Sequence, residues 1–148
     1  MLDHAWARRP YPGDGYALPF GRAARVREGD AITVVTWGAM VPRCEEAAEG
    51  LSADVLDLRT LVPWDRGAVL ESVRRTRRCL VVHEDLRTAG FGAEIAAVVA
   101  EEAFLDLDAP VSRLAMPDVP SPHNPVLLEW ALPSVARIRA RMDELVGF

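Results

Sequence analysis

Three short stretches carry the residue types that do chemistry. His83-Glu84-Asp85 sets a side chain that titrates near neutral pH beside two carboxylates. Such neighbours raise an imidazole's pKa, which makes His83 a candidate acid–base or interface residue, with Glu84 beside it. The plainer reading is a histidine satisfied by local hydrogen bonds, because on a strand His83 and Glu84 point to opposite faces. Gly90-Phe91-Gly92 opens a helix, and its backbone N–H groups could hold an anion. A tight loop-to-helix entry explains the same glycines. The cluster Arg74, Arg75, Arg77 and Arg78 reads as a solvated helix end, where cations meet the negative end of the helix dipole.

Absent chemistry narrows the field further. All 17 basic residues are arginine, so there is no Schiff-base lysine and no P-loop lysine. Neither G-x-G-x-x-G nor Walker A nor G-x-S-x-G occurs. Cys44 and Cys79 stand far apart and outside any CxxC pair, as two buried, reduced thiols would. A metal site needs more ligands than these two and three scattered histidines supply. The net charge of −5 disfavours nucleic acid. No apolar run approaches the roughly 20 residues that span a bilayer. Met1 to Arg8 lacks an apolar signal core, so no membrane is expected and the cytoplasm is the default compartment.

The elements that must position these groups alternate along the chain. Its 148 residues, half of them apolar, suit one domain with a single core. Residues 1–20 read as a linker or lead-in, broken by prolines and glycines and rich in aromatics; Gly13-Asp14-Gly15 within it is turn chemistry. Residues 21–148 read as the domain. Strands are expected at 23–27, 32–37, 54–59, 79–83 and 111–115. Helices are expected at 40–49, from an Asp65 cap to 75, at 93–103 and from Pro133 onward. A proline-rich loop, Pro117 to Pro125, precedes the last helix. Strands alternating with helices predict βαβ units in a three-layer α/β/α domain, a mostly parallel sheet covered on both faces. His83-Glu84-Asp85 would then lie just past the C-terminal end of an apolar strand, where open α/β sheets place their sites.

Several blocks, in one order and at consistent spacing, resemble the transketolase-type C-terminal domain of the β subunit of 2-oxo acid dehydrogenase E1 components. They are Leu18-Pro19-Phe20-Gly21-Arg22-Ala23, Thr33 to Met40, Asp57 to Asp65, His83-Glu84 with Ala89-Gly90-Phe91-Gly92-Ala93-Glu94-Ile95, Asp108-Ala109-Pro110-Val111 with Arg113, and Asp118-Val119-Pro120. The Trp37-Gly38, Val62-Pro63-Trp64-Asp65 and His83-Glu84 variants look most like the branched-chain (2-oxoisovalerate) type. The resemblance implies a five-stranded mixed sheet of order 1-3-2-4-5 with the first strand antiparallel. It implies an α₂β₂ enzyme holding thiamine diphosphate and magnesium between the α subunit and the N-terminal half of β. That cofactor decarboxylates a 2-oxo acid and passes the acyl group to a lipoyl arm on E2. Thiamine enzymes ligate the metal with a Gly-Asp-Gly and paired asparagines downstream, whereas this chain has only Asn124. The resemblance covers only the C-terminal half of β, without the glutamate that activates the cofactor and the histidines near the substrate, so no cofactor ligand carries over, and the chain alone is expected to bind no cofactor and to be no catalyst.

What the resemblance implies for this domain is assembly with the E1 α subunit and a second β subunit, and docking of the basic subunit-binding domain of E2. Asp108 and the terminal carboxylate of Phe148 are the docking candidates, and opposite charges would steer that contact. The plainer reading makes Asp108 a turn residue before Ala109-Pro110. Two other classes compete: the same domain of a transketolase or deoxyxylulose-phosphate synthase, against which the Pro63-Trp64-Asp65 and His83-Glu84 blocks argue, and a stand-alone interaction module.

Overall fold

A computed structural model describes residues 11–148; the first half of the expected lead-in lies outside the described residues. Five strands form one mixed sheet: β1 (Ala24–Arg27), β2 (Ile32–Thr36), β3 (Ala53–Asp57), β4 (Cys79–Leu86) and β5 (Ser112–Met116). Their order is β1-β3-β2-β4-β5, and β1 alone runs antiparallel to its neighbour. The expected order and the antiparallel first strand are both present. Helices α1 (Met40–Ala47), α2 (Arg66–Thr76), α3 (Gly92–Glu102), α4 (Pro125–Ala131) and α5 (Val135–Val146) complete the domain.

Alternation along each strand divides the core in two. Ile32, Val34, Val55, Leu80 and Val82 meet Met40 and Cys44 of α1 and Ile138, Met142 and Leu145 of α5. Val35, Leu56, Leu58, Cys79 and Val81 meet Val69, Leu70 and Val73 of α2 and Ile95 and Val99 of α3. Both faces of the sheet are therefore dry, which is why β2 is buried at every position. Cys44 and Cys79 are free and buried, and burial pushes each thiol up to about 12.

Asp65 caps α2 as expected. One carboxylate oxygen accepts from the Ala68 N–H (3.1 Å) and the other from the Ala23 N–H (3.0 Å), so the cap also pins the entry to β1. Two readings are corrected. Pro125 belongs to α4, not to a loop: Asn124 accepts from the Val126 and Leu127 N–H groups, and proline fits the first helical position because that N–H needs no partner. The final helix starts at Val135 behind a Ser134 cap, two residues after Pro133.

The basic cluster stands at the C-terminal end of α2 as expected, with Arg74, Arg75 and Arg77 exposed, and it is also largely paired. Arg75 donates to Asp54 (2.5 Å), a fully buried carboxylate that also meets Arg25 (2.9 Å) and Ser72 Oγ (2.5 Å). Ser72 and Thr76 are in turn hydrogen-bonded to Thr33. Arg78 donates to the Leu145 carbonyl and Arg74 to that of Glu102. A buried carboxylate needs such partners, and α2 supplies them from the turn the cluster occupies.

Removing Asp54 leaves Ser72 and two guanidiniums without their acceptor. Asp54→Ala is expected to lower unfolding free energy by about 3 kcal/mol in urea titrations. A loss below about 1 kcal/mol would show that the network contributes little.

Candidate functional site

His83 lies inside β4, not beyond its end. Between Val82 and Leu86, β4 advances four residues while β5 advances two, Leu114 to Met116. His83, Glu84 and Asp85 fill this irregular stretch, and a bulge of this kind re-aims side chains. The His83 ring turns to the α3 face and is fully buried. It stacks on Trp37 with centroids 5.2 Å apart and planes 6° from parallel. Phe91 meets Trp37 edge-on, and Trp64 meets Phe91 the same way. Glu84 is half-buried, its Oε1 3.7 Å from where a Cβ on Gly38 would stand.

The glycines of Gly90-Phe91-Gly92 make room for that ring. A Cβ at Gly92 would lie 2.3 Å from His83 Nε2, and one at Gly90 would lie 2.9 Å from His83 Cε1 and 2.1 Å from the Leu86 carbonyl oxygen. The tight entry to α3 is therefore a packing requirement, and the imidazole occupies the space next to the helix N-terminus where an anion would sit. Neither ring nitrogen of His83 has a hydrogen-bond partner among the described residues. Its pKa is lowered, because burial outweighs the pull of Asp85, and Arg113 adds to the depression. The upward pull expected of a neighbouring carboxylate is present from Asp85, but desolvation of the ring is the larger effect and the net direction is down.

Asp108 and Phe148 are brought together elsewhere. They line one groove of about 730 Å³ with Ala96 and Ala100 of α3 and with Phe104 and Leu105, which form a single 3-10 turn. Leu105 is 90 % exposed, Phe148 73 % and Phe104 70 %. Asp108 is not free at this rim. Arg77 grips it with two bonds of 2.8 Å, and its own N–H donates to the Arg77 carbonyl (2.9 Å). That guanidinium holds the Asp108 carboxyl below the usual carboxylate range.

Three features escaped sequence reasoning: Trp37 as the platform for His83, the groove built on Phe104-Leu105, and the apolar face of α4, where Val126, Leu127 and Trp130 are exposed. The exposed Phe104-Leu105 pair directly after α3 was the available signal for the groove.

Residues 21–138 match the family model described as "Transketolase, C-terminal domain". The chain is 41% identical to the 2-oxoisovalerate dehydrogenase subunit beta of Bacillus subtilis over 143 residues, 93% of this chain and 44% of the relative. It is 48% identical to the mitochondrial subunit beta 2 of the same enzyme from Arabidopsis thaliana over 116 residues, 75% of this chain and 32% of the relative. The beta subunit of acetoin:2,6-dichlorophenolindophenol oxidoreductase from Cupriavidus necator is 42% identical over 134 residues, 87% of this chain and 40% of that one. The chain spans less than half the length of these relatives. Among solved structures, a split-gene transketolase described as an inactive beta4 tetramer superposes with a TM-score of 0.74 at 28% identity, covering 89% of this chain and 44% of the other.

The fit of imidazole to glycine predicts a coupled pair. Gly92→Ala is expected to destabilise the domain by about 2 kcal/mol in chemical denaturation, as overpacking does. In a His83→Ala background the same change should cost less than half as much. Equal costs in both backgrounds would mean that the ring does not dictate the glycine.

Proposed function

This chain belongs to the transketolase C-terminal domain family, and we propose that it serves as the C-terminal domain of the β subunit of a thiamine-diphosphate-dependent 2-oxo acid dehydrogenase, the E1 component, of branched-chain type. The observation that carries the reading is its 41–48% identity to 2-oxoisovalerate dehydrogenase β subunits over most of its length. Residues 21–148 are the domain on this reading, and residues 1–20 the lead-in from a neighbouring domain. The compartment is the cytoplasm.

Thiamine diphosphate and magnesium demand a phosphate cradle and free oxygen ligands, and the described residues do not fit them. Asp14 lies in an exposed turn and accepts from the Tyr11 hydroxyl. Asn124 Oδ1 is committed to two backbone N–H groups as the cap of α4. The cofactor therefore belongs, on this reading, to the α subunit and the other half of β, and no step of its chemistry is drawn through this chain.

What the domain contributes is surface. Three partners are proposed: the E1 α subunit, a second β subunit and the subunit-binding domain of E2. Large apolar side chains stay exposed along the lead-in at Tyr11, Leu18 and Phe20, next to Val62, and on α4. Exposed patches of this kind mark interfaces. We assign the groove between Phe104, Leu105 and Phe148 to the basic E2 domain, with Asp108 as the acidic rim. His83, Gly90 and Phe91 act from beneath the surface, as the packing that holds the entry to α3. Glu84, half-buried in the same stretch of β4, remains an interface candidate.

Two measurements test the reading. Mixed with an E1 α subunit and the N-terminal half of a β subunit, the chain should associate and restore thiamine-diphosphate-dependent decarboxylation of 2-oxoisovalerate. Failure to associate, or turnover by the chain alone, contradicts it. For docking, Asp108→Ala should weaken E2-domain binding about tenfold in calorimetry, since it removes the acid and leaves Arg77 facing a basic partner. Arg77→Ala, which frees the carboxylate, should strengthen it. An unchanged affinity in both variants removes Asp108 from the interface.

A further inference from the structure

His83 combines three properties: an ionisable ring, full burial and two ring nitrogens without partners among the described residues. The elements packed around it bring opposed charges. From the end of β2 comes the Trp37 face. From α3 come Gly92, the first residue of the helix, against Nε2, and Glu94 in the first turn, exposed to solvent. A helix N-terminus is positive and disfavours an imidazolium. From β5 comes the cation Arg113, which also donates to the Arg87 carbonyl (2.8 Å). On its own strand stands Asp85, two residues on within the same irregular stretch. His83 Cε1 and Asp85 Oδ2 both lie within 3.3 Å of the point where a Gly90 Cβ would be.

The turn between them is poised. Arg87, Thr88 and Ala89 are exposed, and Ala89 has φ of 61°, a conformation that alanine seldom adopts. Thr88 holds Asp118 through its N–H (2.9 Å) and hydroxyl (2.6 Å), and the Arg87 N–H donates to the Met116 carbonyl. These bonds tether the outer end of the turn to the segment after β5. Its inner end, Gly90 to Gly92, rests on the imidazole.

We propose that His83 is an acid-sensitive latch: neutral, it keeps the turn 87–91 closed over the Trp37 stack; protonated from solvent at a ring nitrogen, it leaves the stack, pairs with Asp85 and lets the turn open at Gly90. The direction follows from linkage. In the closed form burial holds the ring's pKa below its ordinary 6.5. In the open form the ring is solvated beside a carboxylate and takes up a proton at ordinary or higher pH. Closure is therefore fully favoured above the open form's pKa, at or above the ordinary 6.5. Below that value the open form gains about tenfold per pH unit, until the depressed closed-form pKa is reached. The consequence reaches the surface, because Arg87 and Trp130 of α4 line one groove of about 400 Å³. Opening the turn changes the ground beside the exposed face of α4, whatever partner that face takes.

Hydrogen exchange of the full chain, corrected for the intrinsic pH dependence of amides, reads this directly. Protection of residues 84–95 should fall about tenfold between pH 6.5 and 5.5, while protection of α2 stays constant. His83→Gln, neutral throughout, should show no such fall. Asp85→Asn keeps the ring and removes its partner, and should move the fall to lower pH; it serves equally if His83→Gln does not fold. Constant wild-type protection, a fall that persists in His83→Gln, or an Asp85→Asn profile superimposed on the wild type would each overturn the proposal.

Discussion

Burying an imidazole against a sheet without a hydrogen-bond partner is costly, and one end of this domain is arranged around that cost. Leaving a buried polar group unsatisfied costs about 1–3 kcal/mol, whereas an aromatic stack recovers about 0.5–1.5 kcal/mol beyond the area it buries. The stack on Trp37 and the apolar surroundings therefore offset the penalty only if the ring sits flush. Flush packing requires the bulge in β4 that turns His83 toward α3, and it forbids a Cβ at Gly90 and at Gly92. Through Phe91 the same constraint reaches Trp64, so three loops that follow β2, β3 and β4 are tied by one aromatic chain.

The opposite end of the sheet is held by charge. Asp54 is buried there among Arg25, Arg75 and Ser72, and α2 delivers two of these partners from one helix face. Arg74 and, just past the helix, Arg78 reach the carbonyls at the ends of α3 and α5, so the C-terminal end of α2 connects three other elements, α3, α5 and β3. Arginine suits the task because its planar fork can bond an acid and a carbonyl in fixed directions. A cluster that reads in the sequence as a solvated helix end is at the same time bonded into the fold.

Much of this was legible in the residues and some was not. All five strands and four helices follow from alternation, β-branched runs and caps such as Asp65. The order of the strands came from resemblance, because periodicity says nothing about which strands pair. Helix α4 was hidden: its Asn124-Pro125 start is a sound capping signal, but it follows Pro117, Pro120 and Pro122, and its exposed Val126, Leu127 and Trp130 give no core-facing stripe. His83 looked like the end of a strand because polar residues follow it. Its burial depends on Trp37 and Gly92, which are 46 residues before and 9 residues after it. The partners of Asp54 lie 18 and 21 residues away on a helix, where no local pattern points back to a strand.

The distribution of exposed apolar side chains bears on why such a domain would be kept as a part. A folded monomer seldom leaves contiguous large hydrophobics in water. Here they fall on three separate faces: the lead-in with Val62, the α4 helix, and the Phe104-Leu105-Phe148 groove. None of these faces carries His83 or Asp54, which are buried at the two ends of the sheet. Rigidity and recognition are therefore assigned to different residues. A partner on any one face would meet a surface positioned by interactions it does not itself disturb, with one exception. The turn 87–91 shares a groove with Trp130, so a partner covering α4 would bias the closed state of that turn, and the state of the turn would by the same free energy bias the partner.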